Sequence, residues 1–592
     1  MKKTFGWLCL LVLAFGGGFD PISGPVQAQT PLPPPDLAAV LAEAGTARVV
    51  VALQPPLVGL RTAAQADQIA QTQDDILQEL SAEDFTVIHR YETLPGLVGE
   101  VTAEGLEILL ANPDVAAVAL DLPVTAQTDE PALLHDYATT GLGLTFSGAG
   151  VNVAILDSGV DTAHVDLAGR VIGQHCFDRD GACPPGRTVE SESAQDENGH
   201  GSHVAGIIAS RGQTSPPGLA PGVGLVAVRV LSRSGTGYTS DVIAGIDWVV
   251  ANQAGLNVKV MNLSLGGGSY EGVCDETDAN TRLYATAVAA ARQAGITIFA
   301  AAGNRGLTNQ LMAPACVSGV LAVGNVYNAN IGSFTWPTCV DTTTASDQIT
   351  CSSNSSSALD LLAPGVQVTS TRLGGGQNIQ SGTSMSTAYA TGVAALLLEV
   401  RPELTPTEIE TVLKETGRPV TDGRNGLVIP RIDPAAALQR VTGDETVTIT
   451  GTILLQGRTD HRGTLLRLSE SACAAASFGA LAAVTAANGA FEIVLPAAHR
   501  YQCLQAQQPG YLAGQADLTR TGLGVATLPA GDVTADQRID IFDLALVGNR
   551  YGQRDSLADL NANGIVDIID LTLVALNYRR MGPITLGVAP AE

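Results

Sequence analysis

The hydrophobic and polar positions of this chain follow three successive patterns. Between residues 47 and 125, short apolar runs bracket two amphipathic stretches. The spacing predicts strands at 48–53, 85–91, 97–101 and 115–120 and helices at 64–80 and 103–110, in β-α-β-β-α-β order. From 130 to 440 the runs become longer and almost purely apolar, at 151–156, 224–231, 258–265, 296–302 and 320–326. Strands buried on both faces read this way. Helical periodicity separates them at 238–253, 280–294, 385–400 and 406–415, which predicts an α/β domain built on a doubly wound parallel sheet. After 446 the runs shorten to 447–454, 464–468, 484–486, 490–495 and 501–506, with Asn488 and Gly489 as a hairpin turn. That reads as a small β-sandwich.

Length, charge and cysteines refine this picture. A chain of 592 residues exceeds what one core supports, so several domains are expected. A net charge of −26 argues against nucleic acid and anionic membranes as partners. Lys2 and Lys3, the apolar run 5–15 and the Val26-Gln27-Ala28 end read as a secretory signal over 1–28. No other stretch reads as a membrane span, so the mature chain is expected to be secreted and extracellular. Cys9 falls in the signal, leaving eight cysteines, an even number that favours disulfides in an exported protein. Proximity along the chain suggests Cys176–Cys183, Cys339–Cys351 and Cys473–Cys503, leaving Cys274–Cys316.

Four short segments carry the chemistry. Asp157 follows an apolar strand in Asp157-Ser158-Gly159, and His200 opens a helical segment in Asn198-Gly199-His200-Gly201-Ser202-His203. Asn304 closes Ala301-Ala302-Gly303-Asn304, and Ser384 lies in Ser381-Gly382-Thr383-Ser384-Met385-Ser386. A serine hydroxyl attacks a carbonyl when a base takes its proton, and the base works when a third group fixes its tautomer. Each segment alone has a plain reading, as a strand-ending turn, a capped helix start or a metal pair. Together, in the order Asp, His, Ser, they resemble the subtilisin-like serine proteases.

That resemblance implies a catalytic domain over 128–441 in which His200 is the base, Asp157 its orienting acid and Ser384 the nucleophile. The Asn304 amide and the Ser384 N–H would hold the oxyanion. Protein or peptide substrates would lie as an extended strand between Ser234, Gly235, Thr236 and Gly237 on one side and Ser264, Leu265, Gly266 and Gly267 on the other. Met312 and Ala313 would line a pocket for apolar or medium-sized P1 residues. Catalysis needs no cofactor. Asp166 matches a calcium ligand of the family, but the partner loop 212–217 is short and lacks asparagine. The family's Ala-x-Pro-His after the methionine is replaced by Ser386, Thr387, Ala388 and Tyr389.

The flanking regions add to the reading. Residues 29–127 resemble the family's ferredoxin-like propeptide, an intramolecular inhibitor, with 125–128 suited to cleavage. Residues 446–525 resemble prealbumin-like sandwiches of the carboxypeptidase regulatory type. Residues 531–581 hold two loops with a 27-residue offset. Asp532, Asp536, Asp540 and Asp543 form one; Asp559, Asn561, Asn563, Asp567 and Asp570 form the other. Oxygen donors at positions 1, 3, 5, 9 and 12 suit EF-hand-type calcium loops. The first loop departs with Thr534 at position 3 and Gln537 at position 6. Helices are expected at 544–551 and 571–580, with Ile539, Ile541, Phe542, Val566, Ile568 and Ile569 as the core. The pair resembles dockerin modules, which implies a cohesin-like partner. Other functions compatible with the sequence are a degenerate protease fold used for binding or adhesion, and a specialised processing protease or transpeptidase.

Overall fold

The computed structural model describes residues 37–54, 63–128, 137–138, 146–442, 446–469, 471–473, 481–496, 501–518 and 522–586. The expected signal segment lies outside them. Among the described residues no helix is long and apolar enough to cross a membrane.

The central unit is a ten-stranded sheet. Its order is Arg418–Thr421, Val428–Arg431, Leu361–Pro364, Val320–Val326, Thr297–Ala301, Val258–Leu263, Asn152–Asp157, Gly224–Arg229, Val171–Phe177 and Glu190–Ser191. All but the two edge strands run parallel to their neighbours. The pleat sends alternate side chains to opposite faces. Val153 and Ile155 therefore join the core under helices His200–Ala209 and Thr383–Val400. Ala154 and Leu156 join the core under helices Thr239–Ala251 and Ala279–Gln293. The chain runs from Asn152–Asp157 to Val171–Phe177 and Gly224–Arg229 on one side and then crosses to Val258–Leu263 on the other, a change of direction that opens a crevice at the carboxyl ends of these strands.

Residues 46–120 form a four-stranded antiparallel sheet, ordered Phe85–Arg90, Gly96–Thr102, Thr46–Leu53 and Val115–Leu120, with helices Ala63–Glu79 and Ala103–Ala111. Strand Thr46–Leu53 also divides its side chains. Val49 and Val51 pack with Ile76 and Leu109, whereas Val50 and Ala52 enter the central unit's core beside Leu283 and Tyr284. At this boundary Asp121 accepts from the Ser240 N–H and hydroxyl at the start of helix Thr239–Ala251. Asp247, near that helix's end, accepts from the Glu92 and Thr93 amides.

Residues 446–586 depart from the expected pair of independent modules. A three-stranded and a five-stranded sheet enclose one core, which also contains Ile539, Val547, Val566 and Val574 of the tail. Strand Ile584–Thr585 completes the five-stranded sheet. Asn577 Nδ2 bonds Gln456 and the Ala530 carbonyl, and the Tyr511 hydroxyl donates to Leu560. The cysteines pair as Cys176–Cys183, Cys274–Cys316, Cys339–Cys351 and Cys473–Cys503.

Candidate active site

Asp157 is the last residue of its strand, His200 the first of its helix, and Ser384 the second of Thr383–Val400. Close backbone approach lets these ends meet. A Cβ on Gly201 would stand 2.1 Å from the Gly159 carbonyl, and one on Gly382 would stand 2.6 Å from the Gln127 carbonyl. Gly382 also has φ of 142°, which only glycine adopts without strain.

Asp157 Oδ1 lies 2.7 Å from His200 Nδ1, both side chains buried. This contact assigns the proton to Nδ1 and leaves Nε2 as the basic nitrogen. Nε2 has no hydrogen-bond partner among the described residues. The Ser384 hydroxyl donates to the Ser264 carbonyl at 2.8 Å rather than to the imidazole. His203, three residues on, is no partner in a metal pair. Burial, and then the nearby His200, lower its pKa to about 3, and its Nε2 bonds the Val368 carbonyl.

Asp196 is a supporting residue that the sequence reading missed. Its carboxylate accepts from Ser158 Oγ on the turn after Asp157 and from the Asn198, Gly199 and Ser202 amides around His200. One buried acid thus ties the aspartate's turn to the start of the histidine's helix. The signal was its place four residues before His200 in an Asp-Glu-Asn-Gly-His run.

Asn304 Oδ1 accepts from the Thr383 N–H and hydroxyl, at 3.0 and 2.9 Å. This fixes the amide so that Nδ2, buried and unpartnered, faces the space beside Gly382. The Gln127 carbonyl reaches the same space and accepts from the Ser384 N–H at 3.1 Å. Strand Pro123–Ala126 lies antiparallel between Thr236–Tyr238 and Leu265–Glu271, with Thr125 opposite both Thr236 and Gly266. The Ala126 N–H donates to the Gly235 carbonyl and the Gln127 N–H to the Ser264 carbonyl. Gly235, Thr236, Gly237, Ser264, Leu265 and Gly266 therefore frame a strand of the chain itself. The Ser234 hydroxyl instead bonds Ser232 and Thr236. Met312 is buried where Cβ atoms on Gly266 or Gly303 would strike it, and the Gln127 side chain donates to the Thr125 and Gly266 carbonyls nearby.

The metal expectations fare differently. Asp166 accepts from the Gln213, Thr214 and Ser215 amides and from the Thr214 and Ser215 hydroxyls. The short loop closes directly on the carboxylate, in the place where a calcium ligand was considered. In the tail, Asp532 bonds the Asp536 and Gln537 amides, and Asp559 bonds those of Asn563 and Gly564. Asp540 and Asp567 cap helices Ile541–Asn549 and Ile568–Leu576, with Asp543 and Asp570 closing each capping box. Asp536 accepts from the Arg538 amide, and Asn561 from Asn563. Among the described residues no three His, Cys, Asp or Glu side chains gather to hold an ion. Carboxylates in a tight loop meet amide donors before they meet one another.

A family profile described as "Subtilase family" matches residues 148–433. The chain is 31% identical over 399 residues to "Alkaline serine exoprotease A" of Vibrio alginolyticus, covering 64% of this chain and 66% of that protein. It is 34% identical over 438 residues to "Extracellular serine proteinase" of Thermus sp. (strain Rt41A), covering 70% of this chain and 94% of that protein. It is 33% identical over 345 residues to "M-protease" of Shouchella clausii (strain KSM-K16), covering 58% and 79%.

Proposed function

The chain belongs to the subtilase family of serine endopeptidases, and from that premise we propose that it is a secreted peptidase made as an inactive precursor. The observation that carries this reading is the seating of Gln127. Its carbonyl bonds the Ser384 N–H while the strand before it pairs on both sides like a substrate. Residues 29–127 then act as the intramolecular inhibitor, and Gln127–Thr128 is the first bond cut.

In this mechanism His200 Nε2 takes the hydroxyl proton as Ser384 Oγ attacks the Gln127 carbon. Asp157 holds Nδ1–H and stabilises the imidazolium. Charge moves to the carbonyl oxygen, where the Ser384 N–H and the Asn304 amide already point. His200 gives its proton to the departing Thr128 nitrogen. Water then hydrolyses the acyl-enzyme by the same steps in reverse order. The hydroxyl must first turn from the Ser264 carbonyl to His200, a single χ1 rotation.

A p-nitroanilide of the sequence Val-Thr-Ala-Gln, copied from 124–127, tests the activity. The matured protein is expected to hydrolyse it and to lose activity to phenylmethylsulfonyl fluoride. No hydrolysis of this substrate or of casein would leave the fold as a binding module.

Calcium in the tail belongs to the same proposal. Burial first, then Asp543 and Asp536 nearby, raise the Asp532 carboxyl to about 6. A divalent cation would relieve that crowding, and Asp532, Asp536, Asp540 and Asp543, with their counterparts Asp559, Asn561, Asn563, Asp567 and Asp570, are oxygen donors suited to it. Calcium should raise the unfolding temperature of the C-terminal unit in the full chain. An unchanged transition at millimolar calcium would remove the site.

A further inference from the structure

A buried file of polar groups runs behind the nucleophile. Thr391 lies two turns after Ser384 on helix Thr383–Val400, Asn262 is in strand Val258–Leu263, and Ser264 follows that strand. None of the four residues is exposed. The Thr391 hydroxyl donates to Asn262 Oδ1 at 3.0 Å. Asn262 Nδ2 donates to Ser264 Oγ at 2.9 Å, and Ser264 Oγ donates to the Ser384 carbonyl at 2.9 Å. Each group accepts from the one before and donates to the next, an arrangement in which hydrogen bonds polarise and strengthen one another. Thr387, one turn earlier on the same helix, takes the other option open to a buried helical threonine. It donates back to the Thr383 carbonyl at 2.8 Å. Thr391 reaches out of the helix instead.

The end of the file is what gives it a role. Ser384 offers its N–H to the Gln127 carbonyl on one side and its C=O to Ser264 on the other. Holding both peptide planes fixes the backbone torsions of Ser384, and so the direction of its Cα–Cβ bond. We propose that Thr391 is a positioning residue which, through Asn262 and Ser264, orients the Ser384 backbone so that its N–H and hydroxyl meet the same substrate carbonyl. The inference rests on the peptidase reading, and it adds a residue remote from the substrate. A shift of a fraction of an ångström in a nucleophile affects the chemical step more than binding.

The test compares Thr391→Val, which keeps shape and loses the donor, with Thr391→Ser, which keeps the donor. Ser264→Ala and the Ser264→Ala/Thr391→Val pair complete a cycle. For each matured enzyme, kcat and KM on the peptide p-nitroanilide, affinity for a peptide boronic acid and unfolding temperature are measured. Thr391→Val is expected to lower kcat roughly five- to tenfold, the scale of one lost hydrogen bond. KM should stay within about twofold, boronate affinity should fall in parallel with kcat, and Thr391→Ser should restore both. The pair should be no slower than Ser264→Ala alone, since both changes break one file. Wild-type kcat in Thr391→Val, a loss confined to unfolding temperature, or additive effects in the pair would overturn the inference. If Thr391→Val fails to fold, the Thr391→Ser and Ser264→Ala enzymes decide by the same split, kcat retained in the first and lost in the second. A wild type that neither hydrolyses peptide nor binds boronate would overturn the peptidase reading itself.

Discussion

At the scale of single residues, the acids of this chain divide by what surrounds them. Asp157 keeps one oxygen for His200 and the Ser158 amide. Asp166 is saturated by a loop. Burial would raise the Asp166 carboxyl, but the Gln213, Thr214 and Ser215 donors outweigh it and hold the group below the ordinary carboxylate range. A depressed pKa contributes stability that is present above the unfolded value near 4 and is lost as pH falls through the folded value. Asp166→Asn should therefore lower the unfolding temperature of the catalytic domain at pH 7. The gap to wild type should narrow as pH falls below about 4. Chelator should leave that transition in place. A calcium-dependent transition that disappears in Asp166→Asn would show that an ion, and not the loop amides, is the partner.

Among the elements, the tail helices show where pattern reading reached its limit. Both begin right after loop position 9, three residues earlier than expected, because Asp540 and Asp567 act as N-caps. Starting there turns Ile541, Phe542, Ile568 and Ile569 outward, 50–70% exposed, while Ile539 and Val566 are fully buried. Ile539→Ala should destabilise the C-terminal unit by roughly 2–4 kcal/mol, as truncation of a buried aliphatic does. Ile541→Ala should change it by about 0.5 kcal/mol or less, as surface substitutions do. Equal effects in denaturant titrations would mean that the loop register is wrong. Five of the eight parallel strands were legible in the sequence, because strands buried on both faces leave continuous apolar runs; Val171–Phe177, Leu361–Pro364 and Val428–Arg431 were not read. Asp157 and Asn304 follow such runs, whereas His200 and Ser384 open helices and were legible through the resemblance of their motifs to a family. Edge strands such as Glu190–Ser191 and Arg418–Thr421 are short and mostly polar, so no apolar run marks them. Thr391 was invisible because its partner Asn262 lies on another segment, and spacing records only neighbours along the chain.

At the scale of the whole molecule, one chain folds so that its N-terminal unit completes its catalytic unit. Strand Thr46–Leu53 gives Ala47, Val49, Val51 and Leu53 to its own core and Val50 and Ala52 to the central one, and Pro123–Ala126 becomes the middle strand between Thr236–Tyr238 and Leu265–Glu271. The grip on helix Thr239–Ala251 is made at both ends by buried carboxylates, and burial pushes Asp121 to about 6 there. The C-terminal unit stands on its own core. In the proposed precursor, the junction after Gln127 is both the last contact of the inhibitor and the first substrate. The most direct measurement is the N-terminal sequence and mass of the secreted product, from wild type and from Ser384→Ala, in a host without other extracellular proteases. Wild type should begin at Thr128, and Ser384→Ala should retain residues 29–127 in one covalent chain. Removal of those residues from Ser384→Ala, or a wild-type terminus away from Thr128, would contradict the account.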